Sequence, residues 1–147
     1  MRIEDHISQE QEIRVVEAIH TAESRTSGEI KVHLERFCKG DPLDRAKSLF
    51  LQLGLHQTER RNGVIIYVAL DAHKAAIWGD EGLYCQTDPG FWTAEMDTML
   101  EHFRCGDVAG GLIRAISDIG ERLAELFPRQ AGDDENPNEL SDEVSYG

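Results

Sequence analysis

The chain is expected to fold as an α/β protein: a mixed parallel and antiparallel β-sheet sandwiched between α-helices, three layers deep, in the order α-β-α-β-β-α-α. Three observations lead there. Residues 30–34 alternate apolar and polar side chains, the pattern of a half-buried strand. Residues 64–70 (VIIYVAL) are apolar throughout, as in a strand covered on both faces. Stretches with apolar residues at helical spacing precede, separate and follow them.

The first helix starts at Ser8, a capping side chain with Gln11 three residues on as its reciprocal partner. Ile13, Val16 and Ile19 mark its apolar stripe, and Thr26-Ser27-Gly28 turns the chain. Ile30, Val32 and Leu34 then point one way, while Lys31, His33 and Glu35 point to a face expected to be wet, making His33 a surface histidine. Asp41-Pro42 opens the second helix, with an N-cap carboxylate and proline in the first turn. Gly54 followed by Leu55 suits a left-handed C-terminal cap. Asn62-Gly63 turns into VIIYVAL, and Ala75 to Trp78 returns as its hairpin partner. After a glycine-bracketed acidic loop, Trp78-Gly79-Asp80-Glu81-Gly82-Leu83, the pair Asp88-Pro89 opens a third helix carrying Phe91, Trp92, Met96, Met99, Leu100 and Phe103. Gly106-Asp107 breaks and recaps, and a fourth helix runs to Pro128. Gly110 and Gly111 near its start are expected to allow close packing against the sheet.

One domain is expected over residues 1–129, followed by an acidic tail, 130–147, expected to be disordered. The tail carries six acids (Asp133, Asp134, Glu135, Glu139, Asp142 and Glu143) and no base. The chain as a whole has a formal charge of −13, and its folded part stays acidic without the tail. Such a surface repels phosphate backbones, so nucleic-acid partners are excluded. The start has no basic region followed by an apolar stretch, and no window is apolar for long enough to cross a bilayer. Cys38, Cys85 and Cys105, odd in number and far apart, fit reduced thiols. A cytoplasmic protein, not inserted in a membrane, is the expectation; the oligomeric state is left open.

A crossover through a helix makes the first two strands parallel, and the hairpin makes the third antiparallel. Asp41, Asp71 and His73 then fall at one end of the sheet. Glu29, Asn62, Asp80 and Glu81 fall at the other. No phosphate-cradling loop, nucleophile elbow or paired-histidine zinc motif is present. The chemistry on offer is carboxylate. Hard cations such as calcium take several oxygens from carboxylates and loop carbonyls, and an acidic turn between glycines supplies both. Glu29, Asp80, Glu81 and Asp88 are therefore candidate ligands for calcium or another divalent cation; no nucleotide or organic cofactor is indicated. A plainer reading stands beside it, with Asp88 as a helix cap and Asp80-Glu81 as a solvated turn.

Thr26-Ser27-Gly28-Glu29-Ile30, Arg61-Asn62-Gly63-Val64, Gly79-x-x-Gly82-Leu83 and Phe103-Arg104-x-Gly106-Asp107 with Gly110-Gly111-Leu112 occur in that order. Together they resemble the TPM domain family over roughly Glu12 to Phe127. The resemblance implies a mixed sheet between helices, with Gly28, Asn62, Gly63, Gly79 and Gly82 as structural motif residues. Glu29 and Asp88 also match family positions; Asp80 and Glu81 expand the family's shorter turn and are this chain's own. Some plant relatives are phosphatase-like and some members are associated with calcium; bacterial relatives are often encoded near LemA-type membrane proteins, which implies a LemA-type partner. Two functions follow as expectations: a cytoplasmic binding or accessory module with a divalent-cation site, or a metal-assisted, acid-phosphatase-like phosphohydrolase.

Overall fold

The computed structural model describes residues 2–129 and 144–147. Helices α1 (Ile3–His6) and α2 (Gln9–Glu23) lead into β1 (Glu29–Glu35), α3 (Pro42–Gln52) and a 3-10 turn (Leu55–Gln57). Strands β2 (Gly63–Ala69) and β3 (Lys74–Gly79) follow, then α4 (Glu81–Tyr84), α5 (Pro89–Arg104), α6 (Val108–Leu126) and β4 (Ser145–Tyr146). The sheet order is β3-β2-β1-β4. β1 runs parallel to β2, with Glu29 opposite Gly63, and β2 antiparallel to β3, with Val64 opposite Gly79. This is the mixed sheet expected from the sequence, with α1, α4 and β4 added to it.

The caps behave as their chemistry dictates. Ser8 Oγ accepts the Gln11 N–H at 3.1 Å and Gln11 Oε1 accepts the Ser8 N–H at 2.9 Å, closing the start of α2. Asp41 and Asp88 accept from Leu43 and Gly90, each with proline in the first turn. Gly54 takes φ 77°, the left-handed value that ends α3.

All seven residues of β2 are buried because both its faces are covered. On one face Val64, Ile66 and Val68 join Val32 and Leu34 under Ile19, Leu112, Ile116 and Ile119 of α2 and α6. On the other, Ile65, Tyr67 and Ala69 pack with Ala46, Leu49 and Phe50 of α3. Each large aliphatic side chain taken fully from water contributes about 1.5–3 kcal/mol, so burial in these two layers is the main favourable contribution to the sandwich.

Four sequence expectations change here. The acidic loop after β3 is one helical turn, α4, because Asp80 caps it by accepting the Glu81 N–H at 2.8 Å. The outer face of β1 is not wet: His33 and Glu35 are 3% and 6% exposed, because β4 closes the edge that β1, paired with β2 alone, would leave open. Gly110 and Gly111 do not face the sheet. Gly110 sits on its Asp107 cap, and a Cβ on Gly111 would lie 2.9 Å from Phe103 Cε1, so that glycine makes room for α5. The acidic stretch expected to be disordered falls mainly on residues 130–143, outside the described residues; its end, Ser145–Tyr146, is paired with His33 and Leu34 of β1.

One polar group lies inside the α5–α6 layer. Glu95 is 8% exposed and its Oε2 is buried with no hydrogen-bond partner among the described residues. Burial, then the neighbouring Asp118, push its carboxyl up to about 7. A folded value above the unfolded one means stability is lost as pH rises from the ordinary carboxylate range through neutrality. Glu95→Gln is expected to remove that loss and add about 1–2 kcal/mol at pH 8, with little change at pH 4. Urea denaturation at the two pH values checks it; an equal change at both would show that charge is not the cause.

Candidate functional site

Two sheet ends carry the polar side chains. At the end where β1 and β2 begin, Arg61 is the centre. Its Nε and Nη2 donate to Asp80 Oδ2 and Oδ1 at 2.8 and 2.9 Å, a two-pronged bond. Glu81 Oε2 lies 3.4 Å from the same guanidinium. The Asp80 side chain is only 5% exposed, and this pairing is what makes its charge tolerable there. Arg61 adopts φ 51°, a left-handed conformation that is uncommon outside glycine.

The sequence-predicted residues divide around this clamp. Asp80 and Glu81 meet at Arg61. Glu29 is 2% exposed and lies opposite Gly63, with its N–H on Asn62 O at 3.4 Å. Asn62, 1% exposed, donates its Nδ2 to Ser27 Oγ at 3.2 Å and so ties the β1 and β2 entrances together. Gly28 leaves space for Leu123, and Gly63 for the Leu55 carbonyl. Asp88 is exposed, and its carboxylate accepts from Gly90 as the cap of α5. Among the described residues, no group of three or more His, Cys, Asp or Glu side chains gathers in metal-binding geometry.

Beside the clamp a cleft of about 400 Å³ opens between α3, α4 and the Trp78 end of β3. Phe50, Leu51, Trp78 and Tyr84 line it, and Lys47 Nζ sits 4.6 Å from the centre of the Trp78 ring. Leu51 and Tyr84 are 59% and 53% exposed.

At the opposite end Glu35 gathers a network. It accepts from Tyr67 OH at 2.7 Å, from His33 Nε2 at 3.1 Å, and from Arg45. Burial pushes the Glu35 carboxyl up, but bonds from Arg45, Tyr67 and His33 outweigh it and hold it at about 2. Burial, partly offset by Glu35, lowers His33, so the ring is neutral at pH 7. With Nε2–H given to Glu35, His33 Nδ1 accepts from Ser145 Oγ at 2.7 Å, which latches β4. Nearby, His6 Nε2 lies 2.7 Å from Asp71 Oδ1 and Arg36 Nε donates to Asp71 Oδ2 at 2.8 Å. His6, then Arg36, hold the Asp71 carboxyl at about 2.

The sequence by itself points to no role for Arg61 or for the Glu35 network. Arg61 stands in the Arg61-Asn62-Gly63 motif, which was a usable signal. His33 and Glu35 share a face by strand alternation, but nothing in that spacing says the face is covered.

A mixed sheet between two helical layers, with its polar groups collected at the two sheet ends, defines an α/β/α sandwich. The chain belongs to the TPM domain family, whose pattern matches residues 3–122. It is similar to the BA42 protein of the psychrophilic bacterium Bizionia argentinensis, solved by NMR: 36% identity over 99% of each chain, with a TM-score of 0.89. The N-terminal domain of cg2496 from Corynebacterium glutamicum shares the fold at 18% identity, covering 80% of this chain and 74% of that one, with a TM-score of 0.63. No curated protein matches. Among the described residues no helix is long and apolar enough to cross a membrane.

Proposed function

We propose that the protein is a non-catalytic binding module whose working surface is the Arg61–Asp80 end of the sheet. A divalent cation is its exchangeable ligand there, and a protein partner, of the LemA type that the family implies, covers the neighbouring cleft. The observation that carries this is the juxtaposition of the Arg61–Asp80–Glu81 charge cluster with a concave apolar surface that leaves Leu51 and Tyr84 in water. Exposed aromatic and aliphatic side chains around a cleft are what partner surfaces present. Two carboxylates share one guanidinium at the clamp, so a divalent cation brings the second positive charge. To reach Asp80 it must displace Arg61. The phosphohydrolase alternative needs a carboxylate at liberty to orient water. In the resting chain Asp80 is engaged on both oxygens and Asp88 caps α5, so neither is at liberty to orient water. Three free thiols suit a reducing cytoplasm.

Calcium chloride titrated into isotope-labelled protein is expected to shift the amides of Arg61 and residues 80–83 at millimolar metal. Arg61→Gln removes the competing cation and is expected to tighten binding about tenfold, equivalent to about 1.4 kcal/mol. Unmoved amides overturn the cation site. Hydrolysis of an aryl phosphate that disappears in Asp80→Asn and Asp88→Asn overturns the non-catalytic reading.

A further inference from the structure

At the sheet end remote from Arg61, a half-enclosed cavity of about 490 Å³ lies beyond the carboxyl end of β2. Open sheets with parallel strands bind their ligands at this end, where loops leaving the strands surround a crevice. The cavity has the size and mixed character of a small-molecule site: mainly apolar, with a few polar groups at its rim. Its floor is Val68, Leu70, Leu100, Phe103 and Val108, of which Val68 and Leu70 are 2% and 5% exposed.

The rim is where the selectivity sits. His6, His73 and Arg104 line it, with Asp5 as the one carboxylate. His6 is oriented by Asp71, itself held by Arg36, so the ring is fixed in place without a ligand. Arg104 has no carboxylate partner among the described residues, although acids outnumber bases 28 to 15 in the chain. His73, at the cavity mouth, adopts φ 55°, a left-handed turn conformation that histidine enters more readily than most residues other than glycine. Lys74 contributes only its stem, because its ammonium donates to Cys38 O and Gly40 O on the other side of the strand.

We propose that this cavity binds an amphipathic carboxylate: an acid whose apolar body fills the floor and whose single negative charge meets Arg104 and the two histidines. A planar carboxylate matches a guanidinium in two-pronged geometry. The same rim disfavours a phosphate dianion. Asp5 adds a negative charge, and the start of α6 beside it is already capped by Asp107, which takes the Gly110 N–H at 2.9 Å. An apolar floor also leaves most phosphate oxygens without donors.

Octanoate, octanol and inorganic phosphate, each titrated separately into the full chain and followed by amide and histidine ring NMR, test this. Octanoate is expected to shift residues 68–73 and 100–108 and the rings of His6 and His73. Octanol is expected to bind at least tenfold more weakly, and phosphate to leave the floor residues unmoved. Arg104 is exposed, so Arg104→Gln leaves the fold intact and is expected to weaken octanoate about tenfold without altering octanol. The proposal is overturned if octanol matches octanoate, if phosphate reproduces its shifts, if the shifts map elsewhere, or if Arg104→Gln binds octanoate unchanged.

Discussion

Glu35→Ala is expected to destabilise the protein by about 3 kcal/mol, at the low end of what removing one partner of a buried ion pair does, because Arg45 keeps some contact with water. The size follows from what is stranded. Tyr67 is fully buried, and the His33 side chain is 4% exposed; both give their protons to Glu35. Glu35 also lines an open groove with Arg36, Cys38 and Arg45, and water entering there keeps the loss at the low end. Since Tyr67 and Glu35 share one bond, Tyr67→Phe in the Glu35→Ala background is expected to cost about 1–2 kcal/mol less than in the parent chain. Urea denaturation of the four proteins in that cycle gives the coupling directly; a coupling near zero would mean the network is not cooperative.

The same residue sets part of the acid response. Glu35 is held at about 2 in the folded chain, against an ordinary value of 4.5. As pH falls, the unfolded chain takes up the proton first. Its contribution is therefore complete above the ordinary carboxylate range and fades as pH drops towards about 2. Asp71 works in the same direction. Glu35→Ala is expected to be less sensitive to acid between pH 5 and 3 than the parent, although less stable throughout. Glu95 acts in the opposite sense, so the parent chain should be most stable on the acid side of neutrality.

The fold was legible because its signals are local. Ser8 with Gln11, Asp41-Pro42 and Asp88-Pro89 each cap a helix by chemistry contained within four residues. The unbroken VIIYVAL run announces a strand covered on both faces, and the helix between it and β1 makes the pair parallel. From those, the meeting of Asp80 with the start of β1 and β2 follows by topology. What stayed hidden depends on distant partners. His33 and Glu35 read as a wet face because β4, the strand that closes their edge, is only two residues long and lies at the far end of an acidic stretch. Arg61 was hidden for a different reason: a surface arginine in HQTERR looks like its neighbours until Asp80 comes round from β3 to meet it. At the candidate site, then, the acids were visible and their counter-ion was not. That matters chemically, because an acidic turn with a guanidinium across both oxygens of Asp80 must exchange partners before it can bind metal.

Gly82→Ala is expected to be the most disruptive single-methyl change at this site, destabilising the chain by about 2–3 kcal/mol, as overpacking against an unyielding neighbour does. The two glycines that bracket Asp80-Glu81 look equivalent in the sequence but meet different surroundings. A Cβ on Gly79 would touch the Trp92 ring at 3.3 Å, and a ring edge can shift by a few tenths of an ångström. A Cβ on Gly82 would lie 2.6 Å from the Arg60 carbonyl oxygen, would overlap that of Arg61, and would be 3.0 Å from the Arg61 carbonyl carbon. Those atoms are backbone, in a turn already carrying Arg61 at φ 51°, and the Gly82 N–H is itself bonded to Arg61 O at 3.0 Å. The methyl must therefore push α4 off the turn, and with it the Asp80 carboxylate off Arg61. Gly40, whose Cβ would meet nothing within 4 Å, supplies the control: Gly40→Ala is expected to be neutral or to stabilise by a few tenths of a kcal/mol. Denaturant midpoints should rank Gly82→Ala well below Gly79→Ala and Gly79→Ala below Gly40→Ala, and the Arg61 amide should move markedly only in the first. If Gly82→Ala matched Gly40→Ala, the close approach of α4 to the Arg60–Arg61 backbone would be wrong, and the acidic turn would be the loosely solvated loop that its composition suggests.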